Sequence, residues 1–260
     1  MARSRDGVEI EYETHGTGDA IVLVHGWAGN RTYWHHQVEY LASRSQVITI
    51  DLGGHGESGL GRADWNLPAF GDDVVAVVDK VGLDNAVLVG HSMGGDAVVF
   101  AAQQLGDRVA GLVWVDAFRS LGDEPESSPE QIDAFLAPFR ADFAAAVTQF
   151  VRTMFPVTAD DDLVDRVAAE MATAHQDATL GSLGYALNRE PPILAALAQI
   201  SAPIAAINPD IAPTDIESLR RHNVEPTILT RVGHFLMMED REQFNAALGA
   251  ALASLGLALD

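Results

Sequence analysis

Asn85-Ala86-Val87-Leu88-Val89-Gly90-His91-Ser92-Met93-Gly94-Gly95 is the stretch that decides the fold of this chain. Residues 85–89 are a short, nearly continuous apolar run ending at a glycine, the pattern of a strand covered on both faces of a parallel sheet. From Met93 to Leu105 the residues are mostly small and apolar until Gly106 offers a stop, so a helix follows at once. Ser92 then sits on a sharp strand-to-helix turn. Such a turn strains the serine backbone and requires neighbours without side chains two positions to either side, which Gly90 and Gly94 provide. The turn lifts the hydroxyl above the sheet, and the helix N-terminus brings its dipole and N–H groups to any negative charge that develops there. A glycine-rich turn with an exposed serine is the plain alternative, and a Gly-x-Ser-x-Gly match also arises by chance. The strand before and the helix after favour a nucleophile.

Outward from this stretch the same rhythm continues. Residues 20–24, 46–50 and 110–115 are further buried-strand runs, and 8–13 alternates like a half-buried strand near a sheet edge. Residues 68–81 carry apolar side chains at 70, 74, 77, 78 and 81, a helical spacing. Strands alternating with helices predict an α/β fold with a mostly parallel sheet flanked by helices. After Asp116 the rhythm breaks. Residues 118–200 offer no strand and four helical segments, 129–155, 161–174, 178–188 and 193–200, punctuated by Gly122-Asp123-Glu124-Pro125 and Glu190-Pro191-Pro192. Strands at 203–207 and 226–231, a helix at 213–222 and a last helix from Asp240, spaced from Gln243 like a capping box, restore the pattern. The expected organisation is one sheet domain, 1–117 and 202–260, interrupted by a helical cap at 118–201.

A serine hydroxyl is a weak nucleophile and needs a base, normally a histidine oriented by a carboxylate. Of nine histidines, His234 follows a predicted strand directly and precedes the last helix, at the end of the sheet where α/β proteins place their sites. His25 and His91 read as packing residues inside motifs, and His15, His35, His36, His55, His175 and His222 have no comparable placement. Two aspartates end strands between Ser92 and His234: Asp210 after 203–207 and Asp116 after 110–115. Either strand end could reach His234, and an aspartate there is commonly a mere cap or turn former. Asp210 is the favoured acid and Asp116 the alternative. An acyl-transfer site also needs donors for the tetrahedral oxyanion. The backbone N–H of Met93 is one candidate, and that of Trp27, in His25-Gly26-Trp27-Ala28-Gly29, is the other.

Composition narrows the class further. There are 37 Asp and Glu against 16 Lys and Arg, a formal charge of −21, which repels nucleic-acid backbones and anionic membranes. Cysteine is absent, excluding thiol catalysis, cysteine-ligated zinc and disulfides. No apolar run approaches the roughly 18 residues of a membrane span. Residues 1–7 hold two arginines with no apolar core or cleavage site after them, so the expected compartment is the cytoplasm. The expected partner is a small-molecule substrate, with no cofactor and no metal; nothing in the sequence bears on oligomeric state.

The segments His25-Gly26-Trp27, Asp51-Leu52-Gly53-Gly54-His55-Gly56-Glu57-Ser58, Gly90 to Gly95 and Gly233-His234-Phe235 together resemble the α/β-hydrolase superfamily in order and spacing. The resemblance covers roughly residues 7–117 and 202–258 and is weak across 118–200. It implies a mostly parallel, eight-stranded-type sheet and a Ser–Asp–His triad under a helical cap. By position it supports Ser92, Asp210 and His234, with Trp27 and Met93 as oxyanion donors. Gly53 departs from the family, which often has a larger residue there, and the loop 208–213 is shorter than the usual acid loop. Serine at 92, rather than aspartate, argues against the related dehalogenases and epoxide hydrolases. The expected activity is hydrolysis of a small, largely apolar ester through an acyl-enzyme. Alternatives are a carbon–carbon bond hydrolase, a cofactor-free haloperoxidase or perhydrolase (whose loops tend to carry proline where this chain has Ala28), and a non-enzymatic small-molecule receptor on the same scaffold.

Overall fold

A computed structural model describes residues 1–122 and 126–257. Its strands are β1 (Ala2–Arg3), β2 (Glu9–Ile10), β3 (Tyr12–His15), β4 (Ala20–Val24), β5 (Gln46–Ile50), β6 (Ala86–His91), β7 (Val109–Val115), β8 (Ile204–Pro209) and β9 (Glu225–Leu229). β1 and β2 pair only with each other, and the remaining seven form one sheet in the order β3-β5-β4-β6-β7-β8-β9. Within that sheet only the β3–β5 pairing is antiparallel. Every residue of β4 and β6 is buried, as their unbroken apolar runs require of central parallel strands.

The main sheet thus has seven strands among the described residues, not eight. The expected strand over 8–13 breaks at Glu11, whose N–H bonds the Ser58 hydroxyl (2.8 Å) and whose carbonyl accepts from Asp51 N–H (2.9 Å). That backbone serves the loop after β5, so Glu9–Ile10 and Tyr12–His15 join different sheets.

The helices are α1 (His35–Leu41), α2 (Leu67–Val81), α3 (Met93–Leu105), α4 (Pro129–Ala141), α5 (Phe143–Arg152), α6 (Asp161–Met171), α7 (Gln176–Ala186), α8 (Glu190–Leu197), α9 (Ile216–Arg220), α10 (Leu236–Glu239) and α11 (Arg241–Ser254). α2 packs along α3, and the two come closest at Gly71, where a Cβ would stand 2.5 Å from that of Phe100. α4 to α8 occupy the chain between β7 and β8. The single helix expected over 129–155 is two, because Asp142 adopts extended backbone (φ −151°) and turns its carboxylate to cap Ala145 N–H (3.1 Å). At the last helix Asp240 accepts from Gln243 N–H (3.0 Å), but the Gln243 side chain bonds the Asp240 carboxylate, so half of the expected capping box forms. α1 and α10 are short helices that the periodicity did not announce. Residues 123–125 of the expected break at 122–125 lie outside the described residues. No helix among those described is long and apolar enough to cross a membrane.

Three buried histidines tie the loops above the sheet together. His25 donates from Nδ1 to Gly26 O (2.7 Å) and accepts Leu52 N–H at Nε2 (3.0 Å), linking the loops after β4 and β5 as a neutral ring. His55 bonds Gly53 O (3.0 Å), and His91 donates from Nε2 to His234 O (2.8 Å). Gly53 itself abuts the buried Arg62–Asp73 pair: a Cβ there would lie 3.1 Å from Asp73 Oδ2, which explains why this chain has no larger residue at that position. Burial pushes His25 down to about 4 and His55 and His91 down to about 3. An unfolded histidine titrates near 6.5, so below that pH the unfolded chain binds more protons than the folded one. The stability these rings contribute is complete above about pH 6.5 and is lost as pH falls through 4 toward 3. Tm measured from pH 7 to pH 4 should therefore fall. His55→Asn, which keeps a donor for Gly53 O without a titrating ring, should fall less steeply; an equal slope in both proteins sinks this account.

Candidate active site

Ser92 follows β6 and opens α3 with φ +52° and ψ −122°, a conformation strained for any residue with a side chain. Its N–H bonds Val115 O (2.9 Å) at the end of β7 and its carbonyl accepts Gly95 N–H (2.8 Å) from the first turn of α3, so one neighbouring strand and the helix hold the turn. The space around it is bare backbone. A Cβ on Gly90 would stand 2.3 Å from Gly94 O, and one on Gly94 would stand 2.5 Å from Val24 O. A Cβ on Gly26 would meet that of Ser92 at 2.9 Å. Met93, the first residue of α3, has a backbone N–H with no acceptor inside its helix.

His234 lies between β9 and α10. Its Nδ1–H donates to Asp116 Oδ2 at 2.6 Å, which leaves Nε2 for a nucleophile. The backbone around it is fixed at four points. His234 N–H bonds Met154 O (2.9 Å), its carbonyl accepts from His91, and Glu239 accepts the N–H groups of Gly233 (2.9 Å) and Phe235 (3.1 Å). Burial raises Glu239 to about 7, against the downward pull of those two N–H bonds and of His234. Phe235 stacks on Phe155 with ring centroids 5.0 Å apart.

The carboxylate that meets His234 is Asp116; Asp210, the favoured acid, is a correction. Register explains the outcome. β7 pairs with β6 so that Val115 lies opposite His91, which sets Asp116 level with Ser92. Asp210 is exposed, and its Oδ1 accepts Arg231 N–H (2.9 Å), a turn-forming role. The inward residue of that segment is Asn208, fully buried, whose amide donates to Phe118 O (3.0 Å) and Thr214 Oγ1 (3.3 Å). It braces the loop that carries Asp116. Burial alone would raise Asp116, but the hydrogen bond and charge of His234, with those of Arg119, outweigh it and hold the carboxyl below its ordinary value.

Ser92, His234, Trp27 and Met93 all line one cavity of about 240 Å³. Phe150, Met154, Met171, Leu183 and Phe235 give it an apolar wall, and Asp96 with Arg189 a polar end. The indole of Trp27 donates to Thr179 O of α7 (2.8 Å) and meets Phe139 and Phe150 edge-on. Of the aromatics in 118–200, Phe150 reaches the cavity with Met154, whereas Phe135 and Phe139 pack behind and Phe118 lies against Trp114. Two residues were missed from sequence. Arg119 Nε and Nη2 each donate to Asp116 at 3.0 Å, and Glu239 grips the His234 loop. The spacing Asp116 to Arg119, one turn apart, was a visible signal for the first. Among the described residues no group of three or more His, Cys, Asp or Glu is disposed to hold a metal ion.

Comparison with known proteins bears on the fold and the family. Residues 19–169 match the model of the alpha/beta hydrolase fold family. The chain is 30% identical over 203 residues to the pimeloyl-acyl-carrier-protein methyl ester esterase of Sodalis glossinidius (strain morsitans), covering 76% of this chain and 77% of that one. It is 35% identical over 131 residues to the bifunctional esterase/perhydrolase DCH of Acinetobacter calcoaceticus, covering 49% and 48% respectively. The crystal structure of bromoperoxidase from Bacillus anthracis superposes with a TM-score of 0.85 at 24% identity over 97% of this chain and 99% of that one, a likeness of fold. The chain belongs to the alpha/beta hydrolase fold family.

Proposed function

We propose that the chain is a serine hydrolase that cleaves small, largely apolar esters through an acyl-enzyme on Ser92. The observation that carries this is the 2.6 Å bond from His234 Nδ1 to Asp116, with His234 and the strained Ser92 lining one apolar cavity. The esterase relatives support the choice of bond. Ser92 Oγ attacks the ester carbonyl while His234 Nε2 takes its proton, and Asp116 stabilises the imidazolium that forms. The N–H groups of Met93 and Trp27 receive the oxyanion. The imidazolium then protonates the departing alcohol, and water repeats the sequence to release the acid. In this proposal the helices of 118–201 are a cap that excludes water from the cavity.

Charge favours a neutral substrate. Four of the five arginines in 118–201, Arg119, Arg140, Arg152 and Arg189, pair with Asp116, Asp133, Asp165 and Asp96 respectively. The perhydrolase reading, in which peroxide replaces water, rests on the His25-Gly26-Trp27 start, in loops that tend to carry proline after the tryptophan. Ala28 sits there at φ +54°, a value the pyrrolidine ring forbids, so ester hydrolysis is preferred.

Three outcomes follow for turnover of p-nitrophenyl esters. Ser92→Ala and His234→Ala should each lower kcat by about three to six orders of magnitude, and the double variant should be scarcely worse, because the residues act as one unit. Folded Ser92→Ala protein with near-normal turnover sinks the proposal. Asp116→Asn should cost ~10⁴ in rate, and Asp210→Asn little; the reverse result moves the acid back to the β8 loop. Matched neutral and carboxylate-bearing esters should differ in kcat/KM in favour of the neutral one, by less at high salt. A better anionic substrate at both salt levels removes the charge argument.

A further inference from the structure

Asp116 has three donors where a triad carboxylate needs one. His234 Nδ1 and Arg119 Nη2 both reach Oδ2, at 2.6 and 3.0 Å, while Arg119 Nε reaches Oδ1 at 3.0 Å. The Asp116 side chain is 1% exposed, and those of His234 and Arg119 are 18% and 27% exposed. Arg119 is rooted in the same loop as Asp116, and its carbonyl accepts Asp215 N–H (2.7 Å), so the segment before α9 holds the arginine in place. Asp116 itself has φ +43°, a strained start for that loop.

A two-pronged guanidinium is a strong and geometrically specific partner for a carboxylate. It does two things here. It keeps a buried carboxylate charged and in one orientation while His234 is neutral, a state that burial alone disfavours. It also shares the negative charge that an imidazolium would otherwise have to itself, and it adds a cation close to that imidazolium. Both parts of the second effect disfavour a proton on His234.

We propose that Arg119 is a positioning residue of the catalytic machinery, which fixes Asp116 against His234 and, by partly neutralising it, keeps His234 able to accept a proton in more acidic solution than an Asp–His pair alone allows. The proposal deepens the ester-hydrolase reading and rests on it only for its kinetic readout. Other charged or titrating groups face the pair. His91 stands with its ring 4.6 Å from that of His234, Glu239 lies behind the His234 loop, and Arg189, bonded to Ala117 O (2.6 Å), is paired with Asp96. His91 is buried and neutral over the relevant range, and Arg189 and its partner Asp96 remain in place when Arg119 is replaced. Glu239 titrates near neutrality and is the one group whose response must be separated.

The test compares wild type with Arg119→Met, which keeps the apolar stem and removes the charge, and Arg119→Lys, which keeps the charge and loses the fork. His234 ring titration is followed by NMR, assigned by difference from His234→Ala, and the acid limb of kcat/KM is measured with a p-nitrophenyl ester. Each is repeated in a Glu239→Gln background. Arg119→Met should raise the NMR midpoint and move the acid limb upward by about one pH unit, the size expected for loss of one nearby charge. Arg119→Lys should move them less, and the Arg119→Met shift should persist without Glu239. A folded Arg119→Met protein whose midpoint stays within 0.2 unit of wild type, taking ~0.2 as well below that one-charge effect, overturns the proposal. So does a uniform loss of rate with an unmoved acid limb. If Arg119→Met fails to fold, the neutral Arg119→Gln takes its place, and a folded Gln variant with an unmoved midpoint overturns the proposal in the same way. A shifted midpoint in a protein that turns over no ester leaves the Arg119 proposal standing and removes the hydrolase reading instead.

Discussion

How closely backbone can approach Ser92 is the constraint from which the rest of the site follows. The serine holds a positive φ while its main chain is bonded to the end of β7 on one side and to the first turn of α3 on the other, and those bonds form only where no side chain intervenes. The carbonyls of Val24 and His25 crowd Gly94, and Ser92 Cβ crowds Gly26. The loop after β4, the Ser92 turn and the N-terminus of α3 are thereby compressed into one small volume. Glycine there costs conformational entropy in the unfolded chain and gives proximity in return. Preorganisation of this kind is what a transition state with developing charge requires.

The features legible in the sequence were those written in local pattern. β4 and β5 fall on residues 20–24 and 46–50 as the apolar runs indicate, and α3 spans Met93–Leu105 as the residues between Ser92 and Gly106 do. Such segments are central, and burial on both faces leaves their composition little freedom. Elements at the margin were less legible. The 8–13 alternation is real, yet Glu11 is claimed by Ser58 and Asp51, partners far away in the chain. A tertiary hydrogen bond overrode a local period.

The acid shows the same limit more sharply. Asp116 and Asp210 each end a strand, and nothing in their neighbours separates them. The difference lies in register across β6, β7 and β8, and in Asn208, which fills the inward position of the later loop and leaves its aspartate to a turn. Choosing between strand ends requires knowing which one stands level with the nucleophile, and that is a property of the assembled sheet. Ser92 and His234 needed no such knowledge, because each sits at a motif of its own.

The bond from the Trp27 indole to Thr179 O bears on how such a protein diversifies. The acceptor is a main-chain carbonyl inside α7, so the bond itself does not depend on the side chain at position 179. The loop that offers the Trp27 N–H is therefore tied to the position of a helix and not to its side chains. Mutational drift along 118–200 is free to recast the cavity wall residue by residue without loosening that tie. A shift in where α7 lies would instead disturb the loop after β4 directly.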